Sequence, residues 1–153
     1  MPSRKMKEFL DANNVRYVTI THSPAYTAQE VAASAHVQGK EMAKTVIVKI
    51  DGTLAMAVLP ASYKIGLEHL QAETGAREID IAVESDFKDK FPGCMLGAMP
   101  PFGNLYDMEV FVEKDLTDDE EIAFNAGTYT ELLKMSFQDF RRLVKPKILK
   151  FAH

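Results

Sequence analysis

Among the residues able to do chemistry, the stretch Gly97-Ala98-Met99-Pro100-Pro101-Phe102-Gly103 stands out. Two prolines fix φ and remove two backbone donors, while the flanking glycines admit turns that other residues resist. The pattern predicts a stiff loop with one aromatic ring and a few N–H groups held in fixed directions. Such donors suit a developing oxyanion, because they need not rearrange during reaction. The same residues also suit a rigid turn between a helix and a strand, and by themselves they leave both open.

Lys44 is the second candidate. It lies in Gly39-Lys40-Glu41-Met42-Ala43-Lys44-Thr45, a stretch close to the end of a Walker phosphate loop. Ala43 stands where that loop needs glycine, and the first glycine is missing, which argues against a nucleotide triphosphatase. A lysine at a strand edge often faces solvent. Here strongly apolar residues follow it, so its ammonium could sit at a pocket mouth as a point charge for phosphate. Cys94 is close to the proline bend, but a thiol nucleophile needs a base or cation to lower its pKa, and a buried inert thiol is the alternative. His22, His36, His69 and His153 show no paired spacing, so no metal site is indicated. There is no Gly-x-Ser-x-Gly elbow either. An enzyme with this sequence would work without an obvious side-chain nucleophile, and no cofactor is implied.

These residues need elements to position them. Met6, Phe9 and Leu10 predict a helix over 3–13 with Asn13-Asn14 as its cap. Val15 to Thr21 reads as a strand, broken by His22-Ser23-Pro24. Thr27 and Glu30 form a capping-box pattern for a short helix to about Ala35. Lys44 to Ile50 and Thr53 to Leu59 flank Asp51-Gly52, a two-residue hairpin signal. The return strand is apolar on both faces, so both faces should be covered, with helices as the expected cover. Helices are expected over 67–74 and 85–91, strands over 78–83, 105–112, 122–126 and 129–133, and a last helix from Ser136 to about Val144. Irregular interleaving around an antiparallel hairpin favours an α+β class with a mixed sheet.

Composition limits the function classes. The 153 residues suit one domain. With 46% hydrophobic and 26% charged residues, the chain is an ordinary globular one rather than disordered or fibrous. A single cysteine fits a reducing compartment, and no apolar run is long enough for a bilayer, so a cytosolic location is expected. The net charge of −4 argues against a broad DNA-type footprint. Charge is nevertheless uneven: eight acids lie between Asp107 and Glu121, and six bases between Lys134 and Lys150. That basic tail could steer a phosphate-bearing partner or simply be a solvated helix face with a frayed end.

Taken together, His22-Ser23-Pro24, Thr27-x-x-Glu30, the Gly39 to Thr45 element and the Gly97 to Gly103 loop resemble the YbaK-type aminoacyl-tRNA deacylases. This superfamily includes the editing insertion domain of bacterial prolyl-tRNA synthetases. The likeness covers about His22 to Val144. It implies a free-standing domain with a mixed, partly closed sheet flanked by helices, which hydrolyses the ester of a mischarged aminoacyl-tRNA at its 3′ acceptor end. An aminoacyl-tRNA synthetase is an implied possible partner. Lys44 would be the essential side chain, and the N–H groups of Gly97, Ala98 and Met99 would stabilise the oxyanion. His22, Tyr26, Thr45, Pro100, Pro101, Phe102, Gly103 and Tyr129 would contact the substrate, with Phe102 and the prolines setting a size limit. Lys40 and the basic tail would add non-specific tRNA contacts. Many relatives carry a histidine where Asn125-Ala126-Gly127-Thr128-Tyr129 has its tyrosine, so the amino acid that a relative removes does not transfer. The competing reading is a non-catalytic module that binds the acceptor end or a synthetase.

Overall fold

The computed structural model describes residues 4–21, 41–92, 94–95 and 97–153. The expected break at His22, Tyr26, the predicted helix ending near Ala35 and Lys40 all lie outside those residues. Helix α1 (Arg4–Ala12) buries Met6 and Leu10 on one stripe. Its end is capped as expected: the Asn13 side chain donates to the Phe9 carbonyl at 2.8 Å, and Asn14 turns left-handed with φ 57°. Strand β1 (Tyr17–Thr21) follows.

The hairpin forms where the Asp51-Gly52 pair requires it. Both residues have positive φ, 50° and 86°, which is what a type I′ turn needs. They join β2 (Ala43–Ile50) to β3 (Thr53–Pro60), with Ile50 opposite Thr53 and Lys44 opposite Leu59. The doubly apolar strand β3 is covered on both sides. Met56 and Val58 face the main core, while Ala55, Ala57 and Leu59 face a second cluster. Helix α2 (Leu67–Thr74) and the tail residues Phe151 and Ala152 cover that second face, α2 through Leu70. The first face is covered largely by another sheet.

The other strands are β4 (Ile79–Ile81), β5 (Glu109–Glu113), β6 (Glu121–Asn125), β7 (Glu131–Ser136) and β8 (Lys147–Leu149). They form two open sheets, in the orders β4-β2-β3-β5-β8 and β1-β7-β6. The larger sheet is mixed, since β3–β5 and β5–β8 are parallel and its other pairs antiparallel. The α+β class is therefore as expected, but the single, partly closed sheet is not what forms. The sheets meet at one parallel bridge, Met42 to Ala123. Helix α3 (Glu84–Phe87) and helix α4 (Phe137–Val144) complete the element list, α4 capped by the Ser136 hydroxyl.

Two expected strands start late for local reasons. Gly103 collects the N–H groups of both Tyr106 and Met108, so 103–105 forms a 3₁₀ turn before β5. Residues 126–130 make the β6–β7 turn, with Gly127 at φ 94°. Strand β8 has no counterpart in the sequence reading. The basic tail that seemed a helix face or frayed end pairs in parallel with β5.

Candidate active site

The proline bend is anchored at its N-terminal side. Ala98 donates to Met95 at 3.0 Å, Gly127 donates to the Ala98 carbonyl at 2.9 Å, and Met95 donates to the Gly127 carbonyl at 2.8 Å. The 94–98 segment is thus stitched to the β6–β7 turn. Gly97 is exposed at the junction, with φ 91°, and a Cβ there would lie 2.6 Å from the Tyr129 hydroxyl. Glycine is required twice over, by backbone conformation and by contact.

This geometry corrects the expected roles. The Ala98 N–H is already spent on Met95, so it is no oxyanion donor. Met99 is buried, and its thioether sulfur accepts from the Gly97 N–H at 3.0 Å. Sulfur is a weak acceptor, so the Gly97 N–H can be captured by a better one. Phe102 is 0% exposed. Its ring lies 5.6 Å from those of Phe124 and Phe140 and 6.2 Å from that of Phe9. It is a core anchor with no exposed surface. Gly103 has no room for a Cβ, with the Met108 carbonyl 2.4 Å away, so it too is a packing residue. Pro100 and Pro101 are buried and stiffen the bend from within.

Cys94 is half-buried, and its sulfur lies 3.8 Å from the Tyr106 hydroxyl. Burial pushes the thiol pKa up, against smaller opposing effects of Tyr106 and Lys5. A thiol held protonated is not a nucleophile near neutral pH.

Lys44 projects from β2 on the face of Val46, Val48 and Ile50. Alternation places Thr45 on the opposite face, so the two do not line one surface. The Lys44 pKa is pushed down, first by burial and then by the nearby Lys64 ammonium. Lys44 and the bend meet through β6. The Met42–Ala123 bridge sets Ala43 level with Phe124, both in the main core, and Lys44 level with Asn125 on the other face. Two residues beyond Asn125 comes Gly127, which holds the bend. The segment 125–129 therefore connects the cation to the loop. Tyr129 is half-buried within it.

Sequence alone assigns Asn125 no role of its own, yet its side-chain oxygen is buried with no hydrogen-bond partner among the described residues. Such an acceptor is costly unless a donor reaches it. Its position just before a glycine turn carries no sequence signal of that role. Two surface cavities lie elsewhere: one of about 560 Å³ beside Lys49, Asp86 and Tyr106, another of about 660 Å³ beside Arg16 and Tyr17.

The basic tail is largely neutralised. Lys147 pairs with Glu109 at 2.6 Å, Lys150 with Glu113 and Asp115 at 3.2 Å, and Arg142 with Asp139 at 3.3 Å. Lys134 lies 3.7 Å from Glu41 and 3.8 Å from Glu121. Carboxylates thus answer Lys134, Arg142, Lys147 and Lys150, which weakens the tail as the phosphate-steering patch expected of it.

A family model described as "Aminoacyl-tRNA editing domain" matches residues 22–143. The Multifunctional Ser/Thr-tRNA deacylase ProXp-y of Escherichia coli (strain K12) is 23% identical over 153 residues, covering 97% of this chain and 91% of the relative. The Prolyl-tRNA editing protein ProX of Acetoanaerobium sticklandii is 27% identical over 142 residues, covering 89% and 86%. Among solved structures, the hypothetical protein APE2540 superposes with a TM-score of 0.86 at 19% identity, covering 97% of this chain and 99% of that one. A candidate trans-editing enzyme for prolyl tRNA synthetase does so at 0.83 and 16%, covering 99% and 97%. No helix among the described residues is long and apolar enough to cross a membrane. With the family model spanning most of its length, the chain belongs to the aminoacyl-tRNA editing domain family.

Proposed function

We propose that this protein is a free-standing hydrolase that cleaves the ester joining an amino acid to the 3′ end of a mischarged tRNA. The observation that supports this best is the 125–129 segment, which has the backbone of Lys44 level with one end and the Gly97 edge against the other. An ester of an RNA terminus presents the matching pair, a phosphate and an acyl carbon that becomes an oxyanion.

In this reading Lys44 holds a phosphate or ribose oxygen of the acceptor end. Water adds to the ester carbonyl, and its oxygen gains negative charge. The Gly97 N–H exchanges the Met99 sulfur for that oxyanion; removing one such donor typically costs ~10²–10³ in rate. Collapse breaks the acyl–oxygen bond, the proton given up by the attacking water passes to the departing ribose oxygen, and the amino acid and a ribose hydroxyl are released. The Asn125 oxygen offers an acceptor for a substrate or water donor. Tyr129, standing where many relatives carry histidine, acts here through its bulk and hydroxyl. His22 and Tyr26 retain their proposed substrate contacts. Because the tail is neutralised by its own acids, recognition beyond the acceptor end falls to another protein, for which an aminoacyl-tRNA synthetase is the proposed partner.

Purified protein incubated with a panel of mischarged tRNAs tests the reading. Ser- and Thr-charged species are included, because one relative is named a Ser/Thr-tRNA deacylase. Hydrolysis that disappears in Lys44→Ala is the expected result. Binding without hydrolysis across the panel would overturn it in favour of a binding module.

A further inference from the structure

Two lysines lie together at the end of the larger sheet, and one of them has no assigned role. Lys44 is the second residue of β2 and lies opposite Leu59. The chain leaves β3 one residue later, at Pro60, and turns tightly: Ala61 donates to the Met42 carbonyl at 2.7 Å and Tyr63 to Pro60 at 2.9 Å. Tyr63, Ile65 and Leu67 then pack on the cluster that contains Leu59, the face from which Lys44 projects. Lys64, between these residues in the chain, is exposed and lies a short turn from Lys44. Its charge is felt there, since the Lys64 ammonium lowers the Lys44 pKa.

Lys64 is not a loosely placed surface lysine at its backbone. Its N–H donates to the His153 carbonyl at 2.8 Å, and its carbonyl accepts from the His153 N–H at 3.1 Å. Ile65 bridges Ala152, and Gly66 donates to the Phe151 carbonyl at 2.7 Å. A Cβ at position 66 would come within 2.9 Å of that carbonyl. The strap 150–153 is itself gripped by Glu113, a fully buried carboxylate on β5. Its Oε1 accepts from the backbone of Phe151 at 3.0 Å and Ala152 at 3.1 Å, and lies 3.2 Å from the Lys150 ammonium. The chain of support runs from the core strand β5 through the strap to Lys64.

Among the described residues, neither Lys44 nor Lys64 forms an ion pair with a carboxylate, unlike the lysines of the tail. Two like charges brought together without a counter-ion oppose folding, and a bound anion removes that cost. An ammonium is a compact point charge with three rotatable donors, so two of them can share the oxygens of one phosphate group.

We propose that Lys64, braced by the strap 150–153, is a second cation of the site and that Lys44 and Lys64 together take one phosphate group of the nucleic-acid terminus. This rests on the acceptor-end reading above and adds a binding residue to it.

The test uses 5′-AMP and adenosine as probes, titrated into the full-length protein by calorimetry or NMR, which separates the phosphate from the base and ribose. The wild type binds 5′-AMP more tightly than adenosine. Lys64→Gln lowers 5′-AMP affinity about tenfold, as expected for losing one charge-assisted hydrogen bond, and leaves adenosine affinity unchanged. Lys64→Arg retains the preference. With a single-stranded RNA ending in CCA, Lys64→Gln also makes the salt dependence shallower, by about 0.7 in log K against log salt if one phosphate contact is lost.

Equal binding of 5′-AMP and adenosine by the wild type overturns the proposal. So does an unchanged preference in Lys64→Gln, or an equal loss of both ligands, which marks a structural defect. If the phosphate preference and its loss are seen but no mischarged tRNA is hydrolysed, the lysine pair stands and the deacylase reading falls.

Discussion

Two groups of cationic side chains in this molecule differ in how the fold pairs them. The tail from Lys134 to Lys150 carries six bases, yet Lys134, Arg142, Lys147 and Lys150 are paired with carboxylates. At the end of the larger sheet, Lys44 has its pKa pushed down by burial and then by the Lys64 ammonium, and neither lysine forms an ion pair with a carboxylate among the described residues. The denser run is the electrically quieter one. What matters for an anion is the field left after pairing, and pairing is decided by which strands lie side by side.

The contrast can be broken most severely at Lys44. Replacing it with Ala is expected to lower kcat/KM for a mischarged tRNA by about a hundredfold, the loss of a charged hydrogen bond made at the substrate. The fold should gain rather than lose stability, because a half-buried cation beside Lys64 is removed; thermal denaturation of Lys44→Met checks this. The sign follows from the lowered pKa. As pH rises through the folded-state pKa, the native protein gives up its proton before the unfolded chain does, so stability from this group increases with pH in the alkaline range. Phosphate binding runs the other way and declines over the same range. In Lys64→Gln the decline should move to higher pH, visible in pH titrations of 5′-AMP affinity.

Next in size is Gly97→Ala, which forces a Cβ against the Tyr129 hydroxyl at a positive φ. A loss of about 1–2 kcal/mol in denaturant unfolding is expected, with deacylation reduced more than tenfold as the donor is displaced. Adding Tyr129→Phe removes the clash but not the backbone strain, so the double variant should recover only part of the stability. Additive losses would show that the two do not touch.

Glu113→Ala sharpens the comparison from the structural side. It leaves two strap N–H groups and the Lys150 ammonium without their buried acceptor, at an expected cost of about 3 kcal/mol. Lys147→Ala should show the smallest effect. Its exposed pair with Glu109 contributes roughly 0–1 kcal/mol, and RNA affinity should stay within twofold. A large loss of RNA binding there would restore the tail as a contact surface.

Much of the architecture was legible because its signals are local. Asp51-Gly52 has few ways to turn, Asn13-Asn14 caps α1, and β3 announces its double burial by lacking polar residues. The bend at Gly97 to Gly103 was legible as unusual, but its division of labour was not. Phe102 reads as an exposed sieve residue until Phe9, Phe124 and Phe140 arrive from three distant segments to bury it. Ala98 reads as a donor until Met95 takes its N–H. Asn125 is an ordinary asparagine until its oxygen is enclosed without a partner. Strand β8 was missed because three residues between Pro146 and Lys150 make a strand only when β5 is beside them.

The amino-acid sequence alone determined the turns, the caps, the doubly buried hairpin and the family pattern, all of which depend on neighbours within a few residues. Tertiary structure decided which lysines keep an outward field, which N–H of the bend remains exchangeable, and which aromatic ring is core. Those outcomes depend on contacts between segments tens of residues apart, where burial and pairing change a side chain's charge and reach without changing its identity.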